Sequence, residues 1–300
     1  MDHYSGAVLA EVRHRCRLAR YDGTIIGTKL LEVKFWGVRG SYPTPCAANL
    51  GYGGNTCCVT VRYNREAPLI FDAGSGVRAL GSALLPEIAQ TPKLTLFFSH
   101  FHWDHVQGVP QFAPLFRKEV ELVLYSVIEP ERLDRILGAQ MAEPFYPVDW
   151  NQVPARRTPA RAAPDGIAAG SSTVRPFPLY HPGGCSGYRI ETPAGTVVFA
   201  TDHEHGDPRA DSILREYAAG ADVLIYDAQY TPEEYPRYRG WGHGTWLEGV
   251  RLARAANVQR LVLFHHDPAR ADDQVRSIAA DAAAAFPGAC AAKENWSIRF

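Results

Sequence analysis

A chain of 300 residues with 46% hydrophobic content is long enough to bury a large core. Its 31 basic and 32 acidic side chains leave a formal net charge of −1, which excludes a global field drawing in nucleic acid or an anionic membrane surface. No apolar run reaches the roughly 18 residues of a transmembrane helix, and Ala7-Val8-Leu9-Ala10, followed at once by Glu11, Arg13 and Arg15, is too short for the core of a signal peptide. The six cysteines show no C-x-x-C spacing and read as free thiols of a reducing cytoplasm.

Residues 1–28 have weak periodicity and a basic cluster of Arg13, Arg15, Arg17 and Arg20; they read as an N-terminal extension ahead of one domain over 29–300. Leu31 to Phe35 alternates like an edge or hairpin strand. Strands are expected over 56–63 and 68–71, then a helix over 77–90. Thr95-Leu96-Phe97-Phe98 reads as a buried strand that delivers the chain into His100-Phe101-His102-Trp103-Asp104-His105, a loop. A short helix over 110–117, a strand over 121–125 and a helix over 129–141 follow. Residues 144–172 are rich in Pro, Ala and Arg and read as one long loop, the kind that often serves as a lid. Within 129–165, Phe145 and Tyr146 are expected over the functional face, where aromatic rings can stack on a substrate. The second half repeats the logic, with strands near 174–179, 187–191, 196–200, 222–226 and 260–264 and helices near 208–219, 244–256 and 272–285. The pattern is mixed α/β, two sheets under outer helices, without an internal repeat of 20–50 residues.

Three imidazoles and a carboxylate within the six residues from His100 to His105, at a strand exit, look like half of a metal site. The residue inside His-x-His lets both rings turn to one side, and Asp104 and His105 can reach a second ion. Further ligand types stand at later strand exits: His181 after Leu179-Tyr180, Asp202 after Ala200-Thr201, and His265 after Leu263-Phe264, with His266 as its rival.

HisPheHisTrpAspHis resembles the His-x-His-x-Asp-His motif of the metallo-β-lactamase-fold hydrolases, whose remaining ligands are a His, an Asp and a His in that order. The resemblance runs from about Leu30 to the C-terminus. It implies an α/β fold, an αββα sandwich of two mixed sheets flanked by helices. It also implies two divalent ions: His100, His102 and His181 on the first, Asp104, His105 and His265 on the second, and Asp202 bridging them. Zinc suits imidazole and carboxylate donors, while manganese or iron tolerates them. Ions roughly 3.5–4 Å apart share a water and lower its pKa. A metal-bridging hydroxide is then the nucleophile, no Ser or Cys is needed, and Asp104 counts with the catalytic groups.

Gly240-Trp241-Gly242-His243-Gly244-Thr245-Trp246 resembles the His-Ser-Thr motif of the ribonuclease Z-like branch, small phosphodiesterases included, with Gly244 in place of the Ser. The resemblance makes His243 the general acid that protonates the leaving group; the alternative is that it caps the next helix. Phe35 to Pro45 and Gly51 to Thr56, both Gly-bearing, resemble the opening segment of that branch, with Asn55 or Thr56 as a hydrogen-bond donor near the metals or part of a structural turn. Asp72 is expected to orient a metal-bound histidine and Asp227 to orient His243; His203, His205 and Asp267 stand beside ligands. Cys57 and Cys58 should face opposite sides of a strand and are not counted as ligands. Residues 206–240 contain four arginines and no lysine, so no long nucleic acid is expected. The favoured activity is metal-dependent hydrolysis of a small phosphodiester such as a cyclic nucleotide. A glyoxalase II-like thioesterase or lactonase, and a non-catalytic metal- or ligand-binding module, are the alternatives. No membrane partner is expected, and a homodimer is left open.

Overall fold

The computed structural model describes residues 30–300, so the expected extension over 1–28 lies outside the described residues. In chain order, β1 (Leu31–Gly37), β2 (Cys58–Tyr63), β3 (Leu69–Phe71), β4 (Lys93–Phe97), β5 (Glu121–Ser126) and β6 (Arg156–Arg161) form one sheet. Then β7 (Ile167–Ala169), β8 (Ser172–Leu179), β9 (Cys185–Thr192), β10 (Gly195–Ala200), β11 (Val223–Asp227), β12 (Arg260–Phe264) and β13 (Ala289–Ala291) form the other. The last strand, β14 (Ser297–Arg299), returns to pair antiparallel with β1. In each sheet one half is parallel, β3 to β6 and β10 to β13, and the other half antiparallel. The helices are α1 (Val77–Leu84), α2 (Trp103–Val106), α3 (Pro130–Ala139), α4 (Pro208–Ala218), α5 (Tyr235–Tyr238), α6 (Trp246–Ala255) and α7 (Asp272–Ala285).

Strand alternation assigns each sheet two buried faces. Phe97 of β4 and Phe199 and Phe264 of β10 and β12 enter the core between the sheets. Their neighbours Leu94 and Leu96 pack outward under α1 and α3. Val198, Leu261 and Leu263 pack outward under α4 and α6. A strand buried on both faces has no polar positions left, which is why these segments read as unbroken apolar runs. Three core layers between four structural layers make the expected αββα sandwich. The central layer is aromatic: Phe71 stacks on Phe97 at 5.2 Å and meets Phe199 of the opposite sheet at 5.7 Å. Tyr188, wholly buried on β9, donates its hydroxyl to the Phe98 carbonyl across the sheets at 2.7 Å, fixing the backbone just before His100.

Several expected elements are corrected. Residues 144–172 are not one loop: they contain a 3₁₀ turn at Trp150–Gln152 and strands β6 and β7. β6 pairs with β5 alone, at the sheet's edge, where Pro159 forfeits no ladder bond on its outer side. The helix expected over 77–90 tightens to a 3₁₀ turn after Leu84, at Pro86, and that over 110–117 is two 3₁₀ turns, each with a proline as its second residue. Trp103–Val106, expected as loop, is a helical turn.

Candidate metal centre

The ends of β4, β8, β10 and β12 converge on one spot, and each contributes chemistry there. After β4, α2 folds the chain back so that Asp104 and His105 join His100 and His102; the turn is closed by His105 N donating to the His102 carbonyl at 3.0 Å. The rings of His100 and His102 lie 4.5 Å apart, and those of His100 and His181 4.8 Å. Close by, His265 Nε2 lies 3.2 Å from Asp104 Oδ2, which His105 Nε2 also approaches at 3.2 Å. Asp202 faces both sets. Its Oδ1 is 3.8 Å from His100 Nε2 and 3.7 Å from His181 Nε2, while its Oδ2 is 3.2 Å from His105 Nε2 and 3.4 Å from His265 Nε2.

The outward ring nitrogens are anchored. Asp72 Oδ2 holds His105 Nδ1 at 2.8 Å and also accepts from Ser99 Oγ, while its Oδ1 accepts from Ser99 N. Gln229 Oε1 holds His265 Nδ1 at 2.8 Å, and the Gly242 carbonyl holds His181 Nδ1 at 2.7 Å. With Nδ1 engaged, Nε2 is the nitrogen left for the cluster. The buried Nε2 atoms of His100 and His105 make no hydrogen bond. Orphaned imidazole nitrogens facing two buried carboxylates are costly as they stand and fit divalent cations well. Burial opposes ionisation of Asp104 and Asp202, but the surrounding histidines prevail and hold both carboxyls below the ordinary range. Burial likewise opposes charge on His105 and His265, yet their acidic neighbours lift both well above a usual imidazole; at His100 and His181 burial wins and the shift is downward.

His243 sits against this cluster, its ring 4.8 Å from that of His265 and 5.2 Å from that of His181. Asp227 Oδ2 holds its Nδ1 at 2.8 Å. The helix-cap alternative falls: Thr245 caps α6, its hydroxyl accepting from Glu248 N. Glycine matters at two places here. A Cβ on Gly40 would stand 2.3 Å from the His265 ring, and one on Gly242, at φ +89°, 2.2 Å from His181 Nδ1.

Other expectations move. Asn55 is spent on Glu294 and Ser75, and Thr56 Oγ1 accepts from Ser75 N and Gln107, so both brace the turn rather than face the cluster. His203 points to Asp211, His205 packs at a tilt against Tyr235, and Asp267 caps the turn at Ala269. His266 is not a rival for His265: its Nε2 is taken by the Ala292 carbonyl, and burial pushes its pKa down to about 3. Tyr146 packs on the outer core with its hydroxyl on the Pro110 carbonyl, and Phe145 is 80% exposed. Neither lines the cavity of about 600 Å³ that opens beside His100 and His102; α3 does, through Arg132 and Ile136, facing Pro178 and Tyr217. Sequence reasoning passed over Glu204. Glu204 is buried and accepts from Gly240 N, Gly242 N and Tyr235 Oη, holding the segment that carries His243; the acid's place two residues after Asp202 was the only signal.

A family model described as Beta-lactamase superfamily domain matches residues 68–266. Ribonuclease Z of Thermoplasma acidophilum is 23% identical over 283 residues, covering 82% of this chain and 89% of that protein. Among solved structures, the metallo-beta-lactamase fold protein YhfI from Bacillus subtilis aligns with a TM-score of 0.68 at 20% identity, over 91% of this chain and 100% of that one. A diphosphatase from the PhnP family aligns with a TM-score of 0.64 at 18% identity, over 90% and 97% of the two chains. At such identities the structural likenesses speak for the fold. No helix among the described residues is long and apolar enough to cross a membrane.

Proposed function

The chain belongs to the beta-lactamase superfamily, and on that premise we propose that it is a dinuclear phosphodiesterase of a small phosphodiester such as a cyclic nucleotide. The unit is residues 29–300. His100, His102 and His181 would hold one ion and Asp104, His105 and His265 the other, with Asp202, which faces both sets, shared between them. When bound, the pair, zinc by preference, supplies charge beside the phosphoryl oxygens and an activated water.

The single observation that carries the phosphodiester reading is the Asp227–His243 pair, 2.8 Å apart beside the cluster. Asp227 Oδ2 accepts from His243 Nδ1–H and fixes the tautomer and orientation of the ring, so a proton on Nε2 is the one available to a departing alkoxide. A thioester, which expels a thiolate, has less need of such a group. Asp72 and Gln229 keep His105 and His265 in one tautomer. The cavity beside His102 offers an apolar wall for a base, with Arg132 at its rim for charge. Residues 206–240 form α4, β11 and α5, with few cations for a long RNA backbone. The reading places the enzyme in a reducing compartment such as the cytoplasm, which suits the five free cysteines among the described residues.

The kinship with a protein named Ribonuclease Z favours a second reading, hydrolysis of RNA. A panel separates the two: cyclic mononucleotides, cyclic dinucleotides, structured RNA, a thioester and a lactone, assayed with zinc and with manganese. Turnover of a cyclic nucleotide well above that of RNA is expected; efficient RNA cleavage alone replaces the substrate class, and thioester turnover without phosphodiesterase activity replaces the reaction.

A further inference from the structure

We propose that Cys57 is a thiolate ligand of the second ion. The inference rests on the two-ion reading and goes beyond the histidine and aspartate donors of that reading. Cys57 lies just before β2, fully buried, with its backbone carbonyl accepting from Gly74 N at 2.9 Å. Its sulfur, a carboxylate oxygen of Asp104 and ring nitrogens of His105 and His265 all lie within 4.8 Å of one another, and all four residues are buried.

An independent feature points into the same group. His105 Nε2 is buried without a hydrogen-bond partner, while its Nδ1 is committed to Asp72. A lone buried thiol is an ordinary core residue. One sharing its space with two anchored imidazoles and a carboxylate adds a sulfur to the N, N, O donors there, a set that Asp202 also faces, and zinc takes thiolate, imidazole and carboxylate ligands alike. The thiol's present contact is weak: Sγ donates to the Arg39 carbonyl at 3.4 Å, a bond readily given up. Coordination breaks S–H, forms the metal–sulfur bond and releases the proton to solvent, as thiolate ligation requires. The other buried thiols are placed elsewhere. Cys185 donates to the Thr201 carbonyl, and Cys58 packs in the outer core under α1.

A sulfur donor alters metal choice. Thiolate selects zinc and cobalt over manganese, so the second site should be the thiophilic one of the pair. Cobalt(II) is the probe, because a thiolate–cobalt bond gives an intense near-ultraviolet charge-transfer band that nitrogen and oxygen donors do not. Wild-type protein loaded with two equivalents of cobalt should show it. Cys185→Ser should keep the band and Cys57→Ser should lose it. The Cys57→Ser variant should also bind zinc at least about tenfold more weakly at one site while manganese affinity stays nearly unchanged. A wild-type protein holding two cobalt ions with only ligand-field bands overturns the proposal and leaves the dinuclear reading intact. So does a band that survives Cys57→Ser or disappears in Cys185→Ser. Failure to bind cobalt at all sinks the dinuclear centre and the sulfur ligand together. If Cys57→Ser does not fold, a band kept in both Cys58→Ser and Cys185→Ser assigns the sulfur to Cys57, and a wild-type spectrum without the band still overturns the proposal.

Discussion

Three of the site's residues leave their strands in the left-handed region that non-glycine residues seldom occupy: Asp72 at φ 59°, Asp202 at 56° and His265 at 60°. Such backbone persists only where its surroundings over-determine it. Here Asp72 is tied to Ser99 and His105, Asp202 to Thr201 and to Asp227 through its amide, and His265 to Gln229. Asp227 thus braces Asp202 as well as the His243 ring. Its two tasks make His243 the cleaner probe of acid catalysis. His243→Ala should lower kcat on a nucleotide phosphodiester by roughly 10²–10⁴-fold, because a ribose alkoxide departs with a proton. The same variant should keep far more activity on bis-p-nitrophenyl phosphate, whose phenolate leaves without help, and its metal content should stay normal. Equal losses on both esters would mean positioning; loss of metal would make His243 a ligand. The histidines and Asp202 were legible because each stands at the end of an apolar run. The nearness of Cys57, set aside as a ligand, to Asp104, His105 and His265 was not, since those residues lie far along the chain and no spacing connects them.

At the scale of elements, the segment Gly240–Gly244 depends on one buried acid. Glu204 accepts from Gly240 N at 2.7 Å, Gly242 N at 2.8 Å and Tyr235 Oη at 2.9 Å, and Gly242 in turn offers its carbonyl to His181. Glu204→Ala strands those donors, a penalty of about 1–3 kcal/mol for each one left buried and unpaired. We expect a lower Tm and a lower kcat on alkoxide substrates, with Glu204→Gln recovering part of both through its carbonyl oxygen. A Glu204→Ala protein with wild-type Tm would contradict this account. Elements of this kind escape a periodicity reading. α2 and α5 are single turns, too short to show 3.6-residue spacing. β6, Arg-Arg-Thr-Pro-Ala-Arg, alternates in burial but carries no large apolar side chain. The long apolar strands and α4, α6 and α7 were visible because their burial repeats over enough residues to register.

For the whole molecule, each ion in the dinuclear reading takes donors from both sheets. His100 and His102 come from the β4 exit of the first sheet, and His181 follows β8 of the second; Asp104 and His105 belong to the first, and His265 follows β12 of the second. Bound ions would therefore clamp the two sheets at one end, while the aromatic core between them holds the rest of the interface. Removing the ions should loosen the clamped end without unfolding the sandwich. Each ion, present at about a thousand times its Kd, would contribute about 4 kcal/mol, so chelating both should lower Tm by roughly 10–20 °C and leave far-ultraviolet circular dichroism nearly unchanged. Carefully purified protein should carry close to two equivalents, and a single equivalent that supplementation cannot raise would refute the dinuclear centre. Asp202 faces both donor sets, so Asp202→Ala should do what neither His102→Ala nor His265→Ala does alone. It should drop the content below one equivalent, abolish turnover, and make Tm indifferent to chelator. If Asp202→Ala retained one tight ion and the chelator response, the carboxylate would serve a single site and the bridge would be lost from the account.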